Sequence, residues 1–259
     1  MSIKHTKTIT NSQDFSGKYP LFKERGETLA CLLDRFRKIY NLKKDDKLTY
    51  AGRLDPMADG VVLILAGKAR FEKDLLLNMD KTYEVEVLLG IGTDTLDSLG
   101  LINQSNIKSY KEKEIEEKIK NLKKITKLKY PMYSSVLVKG KALFSHARNG
   151  TKDIVIPYKN IKIYDIETLS IKNEKLENIV DEINTAILKV KGDFRQKEII
   201  DNWNNFLLNN QNRLVQVISL RIKASSGTYM RSLAEKLGQE LGTPAIAYKI
   251  RRVQIGDYK

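Results

Sequence analysis

Residues 51–67 read AGRLDPMADGVVLILAG, a short polar loop around Asp55 followed by a wholly apolar run. Pro56 fixes its own backbone angle φ and favours an extended conformation for Asp55, so the carboxylate points in a defined direction. The apolar run after Gly60 has the length of a buried strand, which would anchor the loop to a core. A carboxylate on such a loop is typical of catalytic sites. The Asp-Pro pair also starts ordinary turns, so this stretch alone leaves a plain turn open.

The charge of the chain indicates a polyanionic partner. Its 259 residues include 46 Lys and Arg against 32 Asp and Glu, a formal net charge of +14. Such an excess favours binding to nucleic acid. A lysine-rich proteome would also produce basic surfaces, so the charge strengthens the case for RNA or DNA without deciding it. The length is sufficient for one large domain or two small ones.

Cysteine and histidine are too rare for several kinds of site. Cys31 is the only cysteine, which excludes a disulfide or a thiolate metal site within one chain. His5 and His146 are the only histidines, and neither has ligand-like neighbours at metal-binding spacing. The sequence therefore predicts no metal site and no histidine-dependent catalytic triad.

Membrane and export signals are not apparent in the sequence. No stretch approaches the ~20 consecutive apolar residues that a membrane-spanning helix requires. Residues 1–17 are polar and lack the apolar segment of a signal peptide. We therefore expect a cytoplasmic protein that makes no membrane contact.

Helix and strand patterns alternate along the chain without a strict βαβ rhythm. Residues 1–20 read as a flexible N-terminal arm, and residues 21–259 as one domain. The pattern favours an α/β (α+β) fold with a mixed, antiparallel-rich sheet flanked by helices over a doubly wound sheet. Helical periodicity marks residues 28–40, 110–124, 142–148, 198–208 and 229–241, and strand patterns mark 61–67, 83–89, 160–169, 215–224 and 249–255.

Two further segments bear chemistry that the Asp55 loop could use. Residues 80–83 read DKTY and place Tyr83 at the mouth of a strand. Residues 225–233 read SSGTYMRSL, a strand-to-helix turn whose free backbone N–H groups suit an anion. Arg231 in the first helical turn opposes the helix dipole, and an arginine tolerated there usually holds an anion. An ordinary surface arginine is the alternative.

In this order, the three segments resemble the TruB family of RNA pseudouridine synthases. The family motif G-x-L-D-P-x-A-x-G matches residues 52–60, its K-x-Y motif matches residues 81–83, and its G-T-Y-x-R motif matches residues 227–231. The similarity runs from about Phe22 to the C-terminus. Further matches to the family lie at residues 90–97, 131–134, 139–141, 242 and 251–252.

The resemblance implies a pseudouridine synthase fold that isomerises uridine to pseudouridine in RNA without a cofactor, most simply the T-loop uridine of tRNA. It implies that Asp55 is the nucleophile and that Arg231 pairs with it and keeps it ionised. Tyr83 would stack on the extruded uracil and take part in proton transfer, because the uridine cannot react inside a base stack. The residues expected to contact the substrate are Lys23, Tyr50, Arg53, Tyr229 and Ile250.

The chain departs from the family pattern at several points. The opening K-P-x-G-x-[ST]-S motif is reduced to KERGETL at residues 23–29, and Tyr50 stands where the family often has histidine. Residues 173–212 resemble an insertion. The sequence ends at Lys259, so we expect the protein to lack the C-terminal RNA-binding module, often a PUA domain, that is common in the family. A synthase for another RNA and an RNA-folding protein with secondary or lost catalysis stay open as alternatives; a monomer is expected.

Overall fold

Thirteen strands and seven α-helices make up the part of the chain that the computed structural model describes, residues 15–151 and 153–259. Most of the arm predicted over residues 1–20 lies outside the described residues, but residues 17–20 belong to the first strand and not to an arm. The strands are β1 (Gly17–Lys23), β2 (Leu48–Ala51), β3 (Ala58–Ala66), β4 (Lys81–Leu89), β5 (Ile91–Thr93), β6 (Ile102–Ser105), β7 (Lys127–Lys129), β8 (Leu137–Val138), β9 (Lys141–Ala142), β10 (Tyr158–Asn160), β11 (Ile163–Lys175), β12 (Leu214–Ala224) and β13 (Ala245–Ile255).

A seven-stranded sheet forms the centre of the fold. Its order is β1-β3-β13-β4-β12-β11, and β2 also pairs with β3. Neighbouring strands run antiparallel, except that β3 and β13 pair in parallel over residues 58–60 and 250–252. The antiparallel-rich mixed sheet predicted from the sequence is therefore confirmed. The one parallel contact places the loop before β3 beside the middle of β13.

Helices pack against this sheet, with α7 on β13 and both α3 and α5 on β11. Helix α1 begins after Thr28, whose side chain caps it by accepting a hydrogen bond from the backbone N–H of Cys31 at 3.2 Å. None of the helices in residues 15–151 and 153–259 is both long and apolar enough to cross a membrane. The helices are α1 (Leu29–Ile39), α2 (Lys73–Leu77), α3 (Glu112–Leu122), α4 (Leu143–Arg148), α5 (Leu176–Ile187), α6 (Gln196–Leu208) and α7 (Met230–Leu241), with a 3₁₀ helix at Gly67–Glu72.

Side chains on the two faces of the sheet belong to two different apolar clusters. In β4, Val85 and Val87 join a cluster that also buries parts of α1, α3 and α7. Leu88, between them and the end of the strand, joins a second cluster built with α5 and α6. Met57, two residues after Asp55, is buried in that second cluster. The Asp55 loop is therefore held between both halves of the core.

Residues 173–212 are more regular than the sequence pattern predicts. Strand β11 continues to Lys175, and the unpredicted helix α5 follows directly. Its buried residues, Leu176, Ile179, Val180, Ile183 and Ile187, repeat at helical spacing, so the signal was present but was obscured by the polar residues around it. Two smaller differences are the short strand β5 in an expected loop and the start of β13 four residues early. That residues 173–212 are an insertion stays a prediction.

Candidate active site

Asp55 lies on the loop that joins β2 to β3. The loop is fixed by backbone hydrogen bonds, from Gly26 N to Pro56 O at 2.8 Å and from Ala58 N to Asp55 O at 3.0 Å. Gly60 follows with φ of +111°, and a Cβ at this position would lie 2.2 Å from the carbonyl oxygen of Arg252. Only glycine permits so close an approach to β13. Gly60, the last glycine of the motif, therefore permits the pairing of β3 with β13 that positions Asp55.

Lys23 is fully buried beneath the same loop. Its Nζ donates hydrogen bonds to the carbonyl oxygens of Glu24 at 3.1 Å, Pro56 at 3.2 Å and Ala58 at 2.5 Å. Lys23 was expected to contact the substrate, but in this structure it has no exposed surface and its ammonium group is bound by carbonyl oxygens of the protein itself. Burial lowers the pKa of Lys23 to about 8, against the opposing effect of nearby carboxylates including Asp55. Lys23 therefore fixes the backbone of the loop through its hydrogen bonds to Pro56 and Ala58.

We expect Lys23→Met to change how the free energy of unfolding depends on pH. Because the pKa of Lys23 is about 8 in the folded chain and 10.5 ordinarily, the unfolded chain binds more protons between these values. This side chain's contribution to stability therefore rises with pH across that window. The stability difference, wild type minus variant, should grow by up to about 1.4 kcal/mol per pH unit. Urea unfolding from pH ~8 to ~10 measures it, and exposed Lys44→Met provides a control. A flat difference for Lys23→Met would contradict the lowered pKa of Lys23.

Arg252 ties β13 to the other end of the loop. Its buried guanidinium donates from Nε to the carbonyl oxygen of Val61 at 2.8 Å and from Nη1 to that of Arg53 at 3.1 Å. The sequence places Arg252 among the family matches but assigns it no role in the site. Its place in the middle of a strand, two residues after Ile250 and next to Val253, was the available signal, since a buried guanidinium needs several acceptors.

The buried guanidinium of Arg231 lies between two carboxylates. Its Nε is 2.8 Å from Oδ2 of Asp55 and 3.6 Å from Oδ2 of Asp97. Nη1 donates to the carbonyl oxygen of Thr95 at 2.8 Å, and Nη2 to that of Tyr133 at 3.1 Å. The contact with Asp55 is a close ion pair, and the contact with Asp97 is a longer one. The anions that Arg231 holds are therefore protein carboxylates, and one of them is Asp55 as the motifs predict.

Asp97 completes this arrangement, although the sequence assigns it no catalytic role. Its Oδ1 accepts hydrogen bonds from Thr95 Oγ1 at 2.7 Å and from the Leu99 N–H at 2.9 Å. Burial raises the pKa of Asp97, while the charge of Arg231 acts in the opposite direction. Burial would lower the pKa of Arg231, but Asp55 and Asp97 outweigh it and raise that pKa. The dense run of hydroxyl and carboxyl groups at residues 93–97 was the signal for this second acid.

The ring of Tyr229 lies beside the Arg231–Asp55 ion pair. Tyr229 is the residue that precedes α7, and its ring stands edge-on to that of Tyr130, with centroids 5.5 Å apart and an interplanar angle of 84°. The Cζ of Arg231 lies 6.0 Å from the Tyr229 ring centroid. Burial raises the pKa of the Tyr229 hydroxyl, and the charge of Asp55 adds to this effect. Tyr229 therefore lies close to both partners of the pair.

The remaining predicted residues surround the loop without joining the ion pair. Arg53 is exposed, and its Nε donates to the Tyr50 hydroxyl at 3.5 Å, at the outer edge of the site. Ile250 is almost fully buried and pairs with Ala58 across the parallel contact. Tyr83 is half-buried against the first apolar cluster, and in the described part of the chain its hydroxyl has no hydrogen-bond partner.

The chemistry available here is that of a carboxylate next to a cation. The Asp55 side chain is 37% exposed, whereas that of Arg231 is 3% exposed, so a ligand can reach the acid while the arginine is held from behind. Among the residues that the structure describes, no three His, Cys, Asp or Glu side chains are grouped as metal ligands. The arrangement suits nucleophilic or acid–base work by a single aimed carboxylate.

Comparisons with known proteins identify the family. Residues 37–192 match the model described as TruB family pseudouridylate synthase (N terminal domain). The tRNA pseudouridine synthase B of Blochmanniella floridana is 31% identical over 251 residues, covering 96% of this chain and 79% of its own length. The protein of the same name from Staphylococcus aureus is 29% identical over 247 residues, covering 94% of this chain and 68% of its own length.

Solved structures agree with this family at the level of fold. A chain of a Cbf5–Nop10–Gar1 complex aligns with a TM-score of 0.56 at 20% identity, and one of an H/ACA RNP bound to a substrate RNA containing 2′-deoxyuridine aligns with 0.54 at 19%. Each alignment covers 96% of this chain, which spans half of the solved chain. The family model matches more than half of the sequence. This chain therefore belongs to the TruB family of pseudouridylate synthases.

Proposed function

We propose that this protein isomerises uridine to pseudouridine in RNA, and that its substrate is the T-loop uridine of tRNA. The observation that carries the proposal is the half-exposed Asp55 carboxylate 2.8 Å from the buried Arg231 guanidinium. A protein that only binds or folds RNA has no need of an aimed carboxylate. The names of the relatives, tRNA pseudouridine synthase B, support tRNA as the substrate class.

The reaction is an isomerisation that needs no electron donor or acceptor. The bond from uracil N1 to ribose C1′ breaks, the base rotates, C5 bonds to C1′, and the hydrogen at C5 leaves as a proton while N1 gains one. We assign the nucleophile's role to Asp55, because a carboxylate can form a covalent intermediate. Arg231 stabilises and orients that carboxylate by its charge. Asp97 and the two carbonyl oxygens fix the guanidinium from the protein side.

The substrate base must be extruded from its stack to reach Asp55. We assign Tyr83 to the extruded uracil, with its ring as the stacking surface and its free hydroxyl available for proton transfer. Basic side chains near α7 would hold the RNA backbone without reading its sequence. Exposed Lys127 and Lys129 on β7 pair with β10, whose Tyr158 is 66% exposed, and Lys159 of β10 lies against Gly227 just before α7. A cytoplasmic monomer stays a prediction.

Tyr83→Phe should slow the reaction while leaving RNA affinity unchanged. The variant keeps the stacking ring and removes only the hydroxyl, so kcat should fall roughly 10²- to 10⁴-fold if that hydroxyl transfers a proton. Kinetics at saturating RNA, together with a binding titration, separate these effects. Tyr164→Phe, on the exposed side of β11, is the matched control and should keep wild-type kcat. Wild-type kcat in Tyr83→Phe would restrict Tyr83 to stacking.

Mapping of pseudouridine in cellular RNA, with and without this protein, tests the substrate. We expect one position, the T-loop uridine of tRNAs, to lose its pseudouridine when the protein is removed and to regain it with the wild-type gene but not with Asp55→Asn. Loss at a position in another RNA would make this a synthase for a different substrate. An unchanged map would favour the alternative of an RNA-folding protein.

A further inference from the structure

Another arginine, Arg195, lies behind the active site, in the segment before α6. Its backbone adopts φ of +62°, a left-handed conformation that is unfavourable for a residue with a Cβ. From there its Nη1 lies 2.9 Å from Oδ2 of Asp94, and its Cζ lies 5.0 Å from the ring centroid of Tyr133. The side chain is 28% exposed, so the contact with Asp94 is partly shielded from water. One guanidinium thus joins two loops that are 39 residues apart in sequence.

Those two loops supply both carbonyl oxygens that bind Arg231. The Asp94 backbone N–H donates to Leu101 O at 3.0 Å, and Asp94 Oδ1 accepts from Leu101 N at 2.8 Å, which closes the loop that carries Thr95. The carbonyl oxygen of Thr95 accepts from Nη1 of Arg231. The Tyr133 carbonyl accepts from Nη2 of the same guanidinium. A shift of either loop would therefore move the group that faces Asp55.

Helix α6 braces the same loop at two further points. Asn202 Oδ1 accepts from the Ile102 N–H at 2.8 Å, and the buried Trp203 Nε1 donates to the Gly100 carbonyl at 3.2 Å. Of the three contacts, only that of Arg195 also reaches the Tyr133 loop. Arg195 is therefore the contact that connects the α6 segment to both loops whose carbonyl oxygens bind Arg231.

We propose that Arg195 is a positioning residue for the Arg231–Asp55 pair: it clamps the Asp94 and Tyr133 loops so that their carbonyl oxygens hold Arg231 in line with Asp55. This inference rests on the proposed function for its kinetic test. Arg195 acts on the ion pair only through the two loops that it joins. Its removal should lower the rate of the bound complex and not the affinity for RNA.

The test compares Arg195→Ala, Arg195→Lys and Lys197→Ala with the wild-type chain on a tRNA T-arm. Lys197 is an exposed cation two residues away on α6, so its variant makes the same change in net charge. We expect Arg195→Ala to lower kcat roughly 10- to 100-fold, as small displacements of catalytic groups do, with KM within about twofold. Arg195→Lys, which keeps the charge for Asp94 but lacks the planar group over Tyr133, should recover part of the rate. Adding Asp94→Asn to Arg195→Ala should cost little more.

Hydrogen–deuterium exchange supplies a readout that does not depend on activity. The amides of residues 94–101 should exchange faster in Arg195→Ala than in Lys197→Ala. If Arg195→Ala does not fold, kcat and amide exchange are compared between Lys197→Ala and the milder variants Arg195→Lys and Asp94→Asn. An unchanged kcat with unchanged exchange would overturn the proposal. A rise in KM alone would overturn it too, because Arg195 would then contact RNA. A wild-type chain without activity would overturn the proposed function, while the exchange result would still decide the clamp.

Discussion

Asp55→Asn should abolish pseudouridine formation and leave RNA affinity within a few-fold of wild type. The substitution keeps the size and polarity of the side chain but removes the negative charge that faces Arg231 at 2.8 Å. An amide is a poor nucleophile, so we expect a loss of at least about 10⁴-fold in rate, the scale seen when a nucleophile is deleted elsewhere. Single-turnover reactions on a T-arm RNA, with pseudouridine detected chemically, measure the loss.

The chain offers a matched control for this variant at the start of the strand that follows the loop. Asp59 lies four residues further on, in β3, and its carboxylate pairs with Arg251, which is half-exposed, at 2.7 and 3.0 Å. Asp59→Asn makes the same chemical change next to the site without touching the ion pair, and should keep a rate near wild type. Appreciable turnover by Asp55→Asn would remove Asp55 from the role of nucleophile. Equal losses in both variants would indicate a general disturbance of the loop.

Arg231→Met should lose activity almost as completely as Asp55→Asn and should also destabilise the fold. The guanidinium is buried and is the counterion of two carboxylates, one of them the buried Asp97. Its removal leaves Asp97 without a cation and the carbonyl oxygens of Thr95 and Tyr133 without their donor. Breaking a buried pair from one side costs about 3–5 kcal/mol. Urea unfolding measures this cost, and the rate on T-arm RNA measures the loss of catalysis.

A second substitution separates the two effects of Arg231. Adding Asp97→Asn to Arg231→Met removes the stranded buried charge, so stability should recover in part. Activity should not recover, because Asp55 still lacks its partner. Wild-type kcat in Arg231→Met would show that the pair plays no part in the reaction. A double variant as unstable as the single one would show that Asp97 does not depend on Arg231.

The sequence predicts the parts of this site that local patterns encode. Asp55 stands on a rigid loop before an apolar strand, and Arg231 stands where the helix dipole disfavours a cation, so local patterns mark both residues. That the two pair was implied only by the resemblance to the TruB family. Lys23 could not be placed, because whether a lysine meets solvent or carbonyl oxygens depends on how β1 crosses the loop. Arg195 lies 140 residues beyond Asp55 in a region of mixed pattern, and only the folded chain brings it to Asp94.

Release of tritium from T-arm RNA labelled at C5 of uridine tests the central claim most directly. Hydrogen leaves C5 only when that carbon bonds to C1′, so release to water counts completed isomerisations. The wild-type chain should release tritium equivalent to one uridine per RNA, while Asp55→Asn releases none and still binds the RNA. Release by Asp55→Asn at the wild-type rate, or no release by a wild-type chain that binds the T-arm, would contradict the account.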